Sequence, residues 1–250
     1  MTSDWVVVPR PPGLQANAVH VWSFPLRLPA ESLEPWLTML SPVEHQRAAA
    51  FAFDALRESY LAAHVTMRFL LSCYLACDPA SVAYRIGEHG KPALVGADLH
   101  FNLSHTDDEG LLAVTRLAEV GVDIERIDRE LDVGAIARRF FSARESADLA
   151  GRPAAERRSV FFDLWTCKEA WLKARGLPLS NARLIGTEFD CGTARLMRVD
   201  GDAASGWFVQ SLRPSGNHAG AVALERTPTA VARFRFDPRA ALREPSGGTR

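Results

Sequence analysis

The sequence predicts an α+β fold made of two similar halves, each a small antiparallel sheet packed on a long helix. Three observations lead there. Strand-like segments recur about 100 residues apart, the same helix-start signal recurs at that interval, and a long amphipathic run follows it both times. His20-Val-Trp-Ser-Phe24 alternates as a strand does, and Val120-Gly-Val-Asp-Ile-Glu125 repeats the pattern. Ser41-Pro-Val-Glu44 and Ser142-Ala-Arg-Glu145 both fit a capping box, in which hydroxyl and carboxylate satisfy the free N–H groups at a helix start. Ser59–Tyr74 then places Leu61, Val65 and Phe69 on one helical face, and Val160–Ala174 does the same with Phe161, Leu164, Trp165, Ala170 and Leu172. Leu99–Leu103 with Leu111–Thr115, and Trp207–Leu212 with Ala219–Leu224, each enclose a polar turn and read as strand pairs. Residue identity between the copies is low, so chance recurrence of α/β elements would leave similar traces.

On this reading residues 1–116 form an N-terminal half and 117–236 a C-terminal half, linked near Arg116–Glu119. Residues 237–250, rich in Pro, Gly, Ser and Arg without period, are expected to be a flexible tail. A chain of 250 residues with 47% hydrophobic and 24% charged residues can bury one large core or two small ones. Its formal net charge of −1 offers no global positive field for nucleic acid. No run of about 18 apolar residues would span a bilayer, and Met1–Gly13 lacks the pattern of a secretory signal, so a cytoplasmic protein is expected. Cys73, Cys77, Cys167 and Cys191 form no Cys-x-x-Cys pair and read as ordinary reduced thiols.

Ligands favour crevices between domains, so the polar clusters are expected to converge on the seam between the halves. In Gly121-Val-Asp123-Ile-Glu125 the strand period of two puts both carboxylates on one side. Such a pair suits a hard cation such as Mg²⁺; a solvent-facing edge strand carrying two acids has the same spacing. Glu169 and Lys173 stand one helical turn apart, as in a surface ion pair or in a site shaped by the neighbouring Trp165 and Trp171. His100-Phe-Asn102-Leu-Ser104-His105 ends a strand in a turn that either holds phosphate oxygens or is simply hydrogen-bonded to itself, and no further His or Cys supports zinc there. Gly87-Glu-His-Gly90-Lys91-Pro92 lacks the spacing of a P-loop and reads by itself as a turn with an exposed Lys.

In order and content these pieces resemble the Sfp-like, two-halved 4′-phosphopantetheinyl transferases over roughly Leu40–Leu179. Gly90-Lys91-Pro92, Phe101-Asn-Leu-Ser-His105, Val120–Glu125, Phe140-Phe-Ser-Ala-Arg-Glu145 and Trp165–Lys173 are similar to the family's G-K-P, F-N-x-S-H, (V/I)-G-(V/I)-D-(I/V)-E, F-F-S-x-x-E and W-x-x-K-E-(A/S)-x-x-K elements. The resemblance implies the pseudo-dimeric fold of that family and transfer of the phosphopantetheine arm of coenzyme A to a serine of an acyl or peptidyl carrier protein. It implies that Asp123, Glu125 and Glu169 hold Mg²⁺, with Mn²⁺ as substitute, and that Lys173 reaches the same phosphates. Ser104 and His105 would bind coenzyme A phosphates, Lys91 and Pro92 would line the adenosine end, and Arg47 would approach the 3′-phosphate. Glu169, directly or through a bound water, is the expected base, with Glu145 in reserve. Carrier protein and coenzyme A are the expected partners of a monomer with no nucleic-acid or membrane partner. One departure stands out: Ser59 occupies a station where the family often has a basic residue, which leaves the 3′-phosphate to Arg47 with Ser104, His105 and Arg57 in support. A metal-dependent phosphohydrolase and a non-catalytic coenzyme A-binding module are the competing classes.

Overall fold

A computed structural model describes residues 5–178, 186–190, 192–199, 202–203 and 206–241. Cys191 and residues 242–250 of the expected tail lie outside them; Cys73, Cys77 and Cys167 are free thiols. No described helix is long and apolar enough to cross a membrane.

The chain is a mixed α+β fold with small sheets and helices. In the first half, β2 (Ala18–Pro25), β6 (Glu109–Thr115) and β5 (His100–His105) pair antiparallel in the order β2-β6-β5. In the second, β7 (Val120–Arg126), β12 (His218–Leu224) and β11 (Phe208–Leu212) repeat it as β7-β12-β11. The repeat is broken at one edge. Strand β13 (Ala230–Arg235), which a division at residues 117–236 assigns to the second half, runs parallel to β2 in the first-half sheet, with β1 (Val6–Val7) beyond it. The sequence expectation had no signal for this, because a parallel partner far along the chain leaves no local pattern.

Helices follow the same double plan. Both capping boxes form: the backbone N–H of Ser41 donates to Glu44 at the start of α2 (Pro42–Ala49), and that of Ser142 to Glu145 at the start of α5 (Ala143–Gly151), at 2.7 and 2.8 Å. The long helices α3 (Asp54–Leu75) and α6 (Ala154–Ala174) come next, each starting about one turn or more before the apolar periodicity announces it. The cap glutamates also tie the elements together. Glu44 accepts from Arg68 of α3 at 2.7 Å and from the Tyr84 hydroxyl at 2.6 Å, while Glu145 sits 3.0 Å from Lys168 of α6 and accepts from the Phe189 N–H at 2.8 Å.

Three apolar layers result. Trp22, Phe24, Leu112 and Val114 meet Val65, Phe69 and Leu70 of α3 on the outer face of the first sheet. Val19, Val21, Leu111 and Ala113 meet Val120, Val122, Ile124 and Val222 between the sheets. Ala219, Ala221 and Ala223 meet Leu164, Cys167, Ala170 and Trp171 of α6 on the outer face of the second. Those alanines and Gly121 let α6 lie directly on β7 and β12. A Cβ on Gly121 would stand 2.0 Å from the Ala170 carbonyl oxygen and 2.3 Å from the Ala174 nitrogen, so only glycine fits.

Gly121→Ala should therefore lower stability by about 1–3 kcal/mol, the usual cost of overpacking. Gly151→Ala, where an added Cβ meets nothing within 4 Å, is the matched control and should be near neutral. Urea unfolding of the two variants checks this; equal midpoints would show that the helix and strand do not depend on the missing side chain.

Candidate active site

Gly121, Asp123 and Glu125 share the face of β7 that looks onto α6, where Glu169 and Lys173 project one turn apart. Each of the three acids offers a carboxylate oxygen within 4.8 Å of those of the other two. The Lys173 ammonium lies 2.5 Å from Asp123 Oδ1, 2.9 Å from Ser104 Oγ and 4.0 Å from Glu169 Oε2. Ser104, on β5 of the first half, donates to the same Asp123 oxygen at 3.0 Å. Strands β5 and β7, on either side of residues 116–119, thus meet at this cluster.

The charges are out of balance. Asp123 is 3% exposed, and its Oδ2 is buried without a hydrogen-bond partner among the described residues. Burial first, then Asp123, push the Glu169 carboxyl up to about 8; Lys173 and an indole hydrogen bond from Trp165 offset only part. Glu125 is raised by burial and by Asp123, although Arg129 bonds it at 2.7 Å. Burial works against the charge of Lys173, but Asp123 and Glu169 outweigh it and hold the ammonium above its usual range. One lysine and one arginine do not neutralise three acids in a desolvated cleft, and a buried carboxylate oxygen lacks a donor. A divalent, oxygen-preferring cation fits that donor set.

The other expected residues are placed as follows. His105 ends β5 beside this cluster and is exposed. Lys91 is not the exposed lysine of a free turn: its ammonium bonds Glu119 at 2.6 Å and the Ala174 carbonyl at 3.2 Å, joining the hairpin β3 (Tyr84–Ile86)–β4 (Pro92–Leu94) to the end of α6. Pro92 opens β4. Arg47 stands exposed on α2 with its guanidinium 5.5 Å from the Phe51 ring centroid, and Arg57 pairs with Asp54 at 3.0 Å. Ser59 donates weakly to the Asp107 carbonyl at 3.4 Å.

Glu145 requires a correction. It is fully buried in the second-half core, where the Ser142 N–H, the Phe189 N–H and Lys168 occupy its oxygens, and it does not belong to the acidic cluster. A carboxylate without solvent access and already paired has neither path nor capacity to take a proton from a substrate, so we remove it from the catalytic set. Sequence reasoning also assigned no part to Asn102, Gly121, Lys168 or Arg129. The pairing of two capping boxes with two cations on the long helices was the signal that would have placed Glu145 and Lys168 together.

Three acids that could hold a metal ion thus lie beside a lysine where α6, β7 and β5 of two similar α+β arrangements meet. The profile of the 4′-phosphopantetheinyl transferase superfamily matches residues 119–223. The chain is 33% identical over 223 residues to the 4′-phosphopantetheinyl transferase HetI of Nostoc, covering 87% of this chain and 92% of that one. It is 37% identical over 155 residues to the 4′-phosphopantetheinyl transferase psf-1 of Bacillus pumilus, covering 60% and 62% of the two chains. To the 4′-phosphopantetheinyl transferase Sfp of Bacillus subtilis it is 29% identical over 154 residues, covering 61% and 67%. The chain belongs to the 4′-phosphopantetheinyl transferase superfamily.

Glu145→Gln should cost about 3–5 kcal/mol, because it removes the carboxylate that neutralises the buried Lys168 charge. Urea unfolding measures it, alongside turnover at a temperature where the variant is folded. A variant of unchanged stability that had lost turnover would return Glu145 to the catalytic residues.

Proposed function

We propose that the protein transfers the 4′-phosphopantetheine arm of coenzyme A to a serine of an acyl or peptidyl carrier protein, at the seam where Asp123, Glu125, Glu169, Lys173 and Ser104 meet. The observation that carries this reading is the under-neutralised acid cluster facing a lysine, a serine hydroxyl and an exposed histidine. Asp123, Glu125 and Glu169 would hold Mg²⁺, or Mn²⁺ in its place, which when bound supplies positive charge to the pyrophosphate. Lys173 orients Asp123 and presents its remaining N–H to a phosphate oxygen. His105, and Ser104 once its hydroxyl hydrogen turns from Asp123, bind phosphate oxygens, Lys91 and Pro92 border the adenosine end, and Arg47, supported by Ser104, His105 and Arg57, approaches the 3′-phosphate. Glu169 accepts the proton of the carrier serine as its oxygen attacks the β-phosphorus. The bond to the leaving phosphate breaks, and adenosine 3′,5′-bisphosphate departs. The duplicated halves, residues 1–116 and 117–236, are read as the descent units of a monomer working in the cytoplasm.

Incubation of several apo-carrier proteins with enzyme, coenzyme A and Mg²⁺, read by intact mass, tests the activity. Each accepted carrier gains one phosphopantetheine, and coenzyme A stays intact when no carrier is added. Breakdown of coenzyme A without a carrier would instead establish a phosphohydrolase.

Asp123→Ala and Glu169→Gln each remove a carboxylate from an under-neutralised cluster, so both should lower kcat by about 10²-fold or more while the protein stays folded. Near-normal turnover of Asp123→Ala at limiting Mg²⁺ would dismiss the metal assignment.

The raised Glu169 carboxyl sets a pH dependence. Below about 8 the group carries a proton that a cation must displace, so affinity should rise about tenfold per pH unit towards 8 and level off above it. Mn²⁺ titration of the protein without substrate measures this, and a flat profile between pH 6 and 8 would contradict it.

A further inference from the structure

The edge of β7 away from β12 is the place where the two halves differ most. On β2, the matching strand of the first half, that edge is filled by β13. On β7 no described strand of the sheet fills it; β5 of the other half crosses close by instead. A buried edge N–H needs an acceptor, and without a paired strand a side chain has to provide one. Asn102 does so: its Oδ1 accepts from the Val122 N–H at 2.8 Å, and the residue is 5% exposed. Two residues along β5, Ser104 bonds Asp123 and Lys173. Residues 102 and 104 therefore face β7 from the same side of β5, one holding the backbone just before Asp123 and the other holding the Asp123 side chain.

We propose that Asn102 is a positioning residue of the active site: its amide oxygen fixes β7 against β5 and so aims Asp123 into the cation-binding cluster. This rests on the metal reading above. Asn102 touches none of the three carboxylates in the described contacts and acts only through Val122. The chemistry required of position 102 is an accepting oxygen at that distance, not the amide as such. Asn102→Asp retains the oxygen; Asn102→Leu retains the approximate size and loses it. The first should keep the geometry, and the second should leave a buried N–H without an acceptor in the strand that carries two metal ligands.

The test uses the full chain without substrate and has two readouts, Val122 amide hydrogen exchange in the metal-free protein and Mn²⁺ affinity by titration. In Asn102→Leu the Val122 amide should exchange at least about tenfold faster and Mn²⁺ should bind about tenfold more weakly, since an unsatisfied buried group costs of that order. In Asn102→Asp both should stay at or above the parent level. Asn102→Ala stands in if the leucine variant does not fold. Unchanged exchange and unchanged Mn²⁺ affinity in the variant lacking the oxygen overturn the inference, and so does equal weakening in the leucine and aspartate variants. Failure of the parent protein itself to bind Mn²⁺ is a separate result: it removes the metal reading, while the exchange arm still decides whether Asn102 holds β7.

Discussion

The close approach of α6 to β7 at Gly121 is the contact on which the site depends. Asp and Glu side chains are short, and carboxylates on a strand meet carboxylates on a helix only where the two backbones nearly touch. Gly121, with Ala219, Ala221 and Ala223 beside it, removes the side chains that would otherwise hold the layers apart. The first half shows what happens otherwise. At the equivalent places about 100 residues earlier, β2 carries Trp22 and Phe24 and α3 carries Phe69, all of them packed in an apolar layer. The same frame is thus used twice, once filled with rings and once with charge.

Ion pairs in this protein divide by how completely they are satisfied. Glu44 with Arg68 and Glu145 with Lys168 are buried, and each charged group has further hydrogen-bond partners: Tyr84 and the Val82 carbonyl in one, the Phe189 N–H and the Thr187 carbonyl in the other. Such sets tie a short helix to a long one and to the segment beyond it. In the seam the count goes the other way among the described residues, with three acids, one lysine, one arginine and a carboxylate oxygen that no described donor reaches. That deficit of positive charge is what a divalent cation could relieve. It also separates Glu169, held near neutrality of charge at ordinary pH, from Glu145, which is saturated with partners.

Much of this was legible in the chain. Period-two alternation placed Asp123 and Glu125 on one face, the i, i+4 spacing placed Glu169 and Lys173 together, and both capping boxes formed where their residues stand. What escaped depends on partners far along the sequence. Strand β13 pairs with a segment about 200 residues away, and Lys91 is claimed by Glu119 and Ala174. The assignment of Glu145 failed for a related reason. A motif glutamate in a capping box looks the same whether its second oxygen faces a cleft or a buried lysine, and only the fold of α6 over α5 decides.

Two like halves could in principle build two like sites, one at each seam. Among the described residues they build one acid cluster, because the symmetry is broken three times on one side. Strand β13 covers the edge of β2 that corresponds to the open edge of β7. Aromatic rings occupy the positions that carry acids in the second half, and Phe69 stands where Glu169 would be needed. Conversely, the second half alone has no complete site, since Ser104 and Asn102 come from β5 of the first. The single seam therefore requires both halves with unequal parts: one supplies the acids, the lysine and a close-lying helix, and the other supplies a strand that satisfies the unpaired edge of β7 and sets a serine and a histidine beside the cluster.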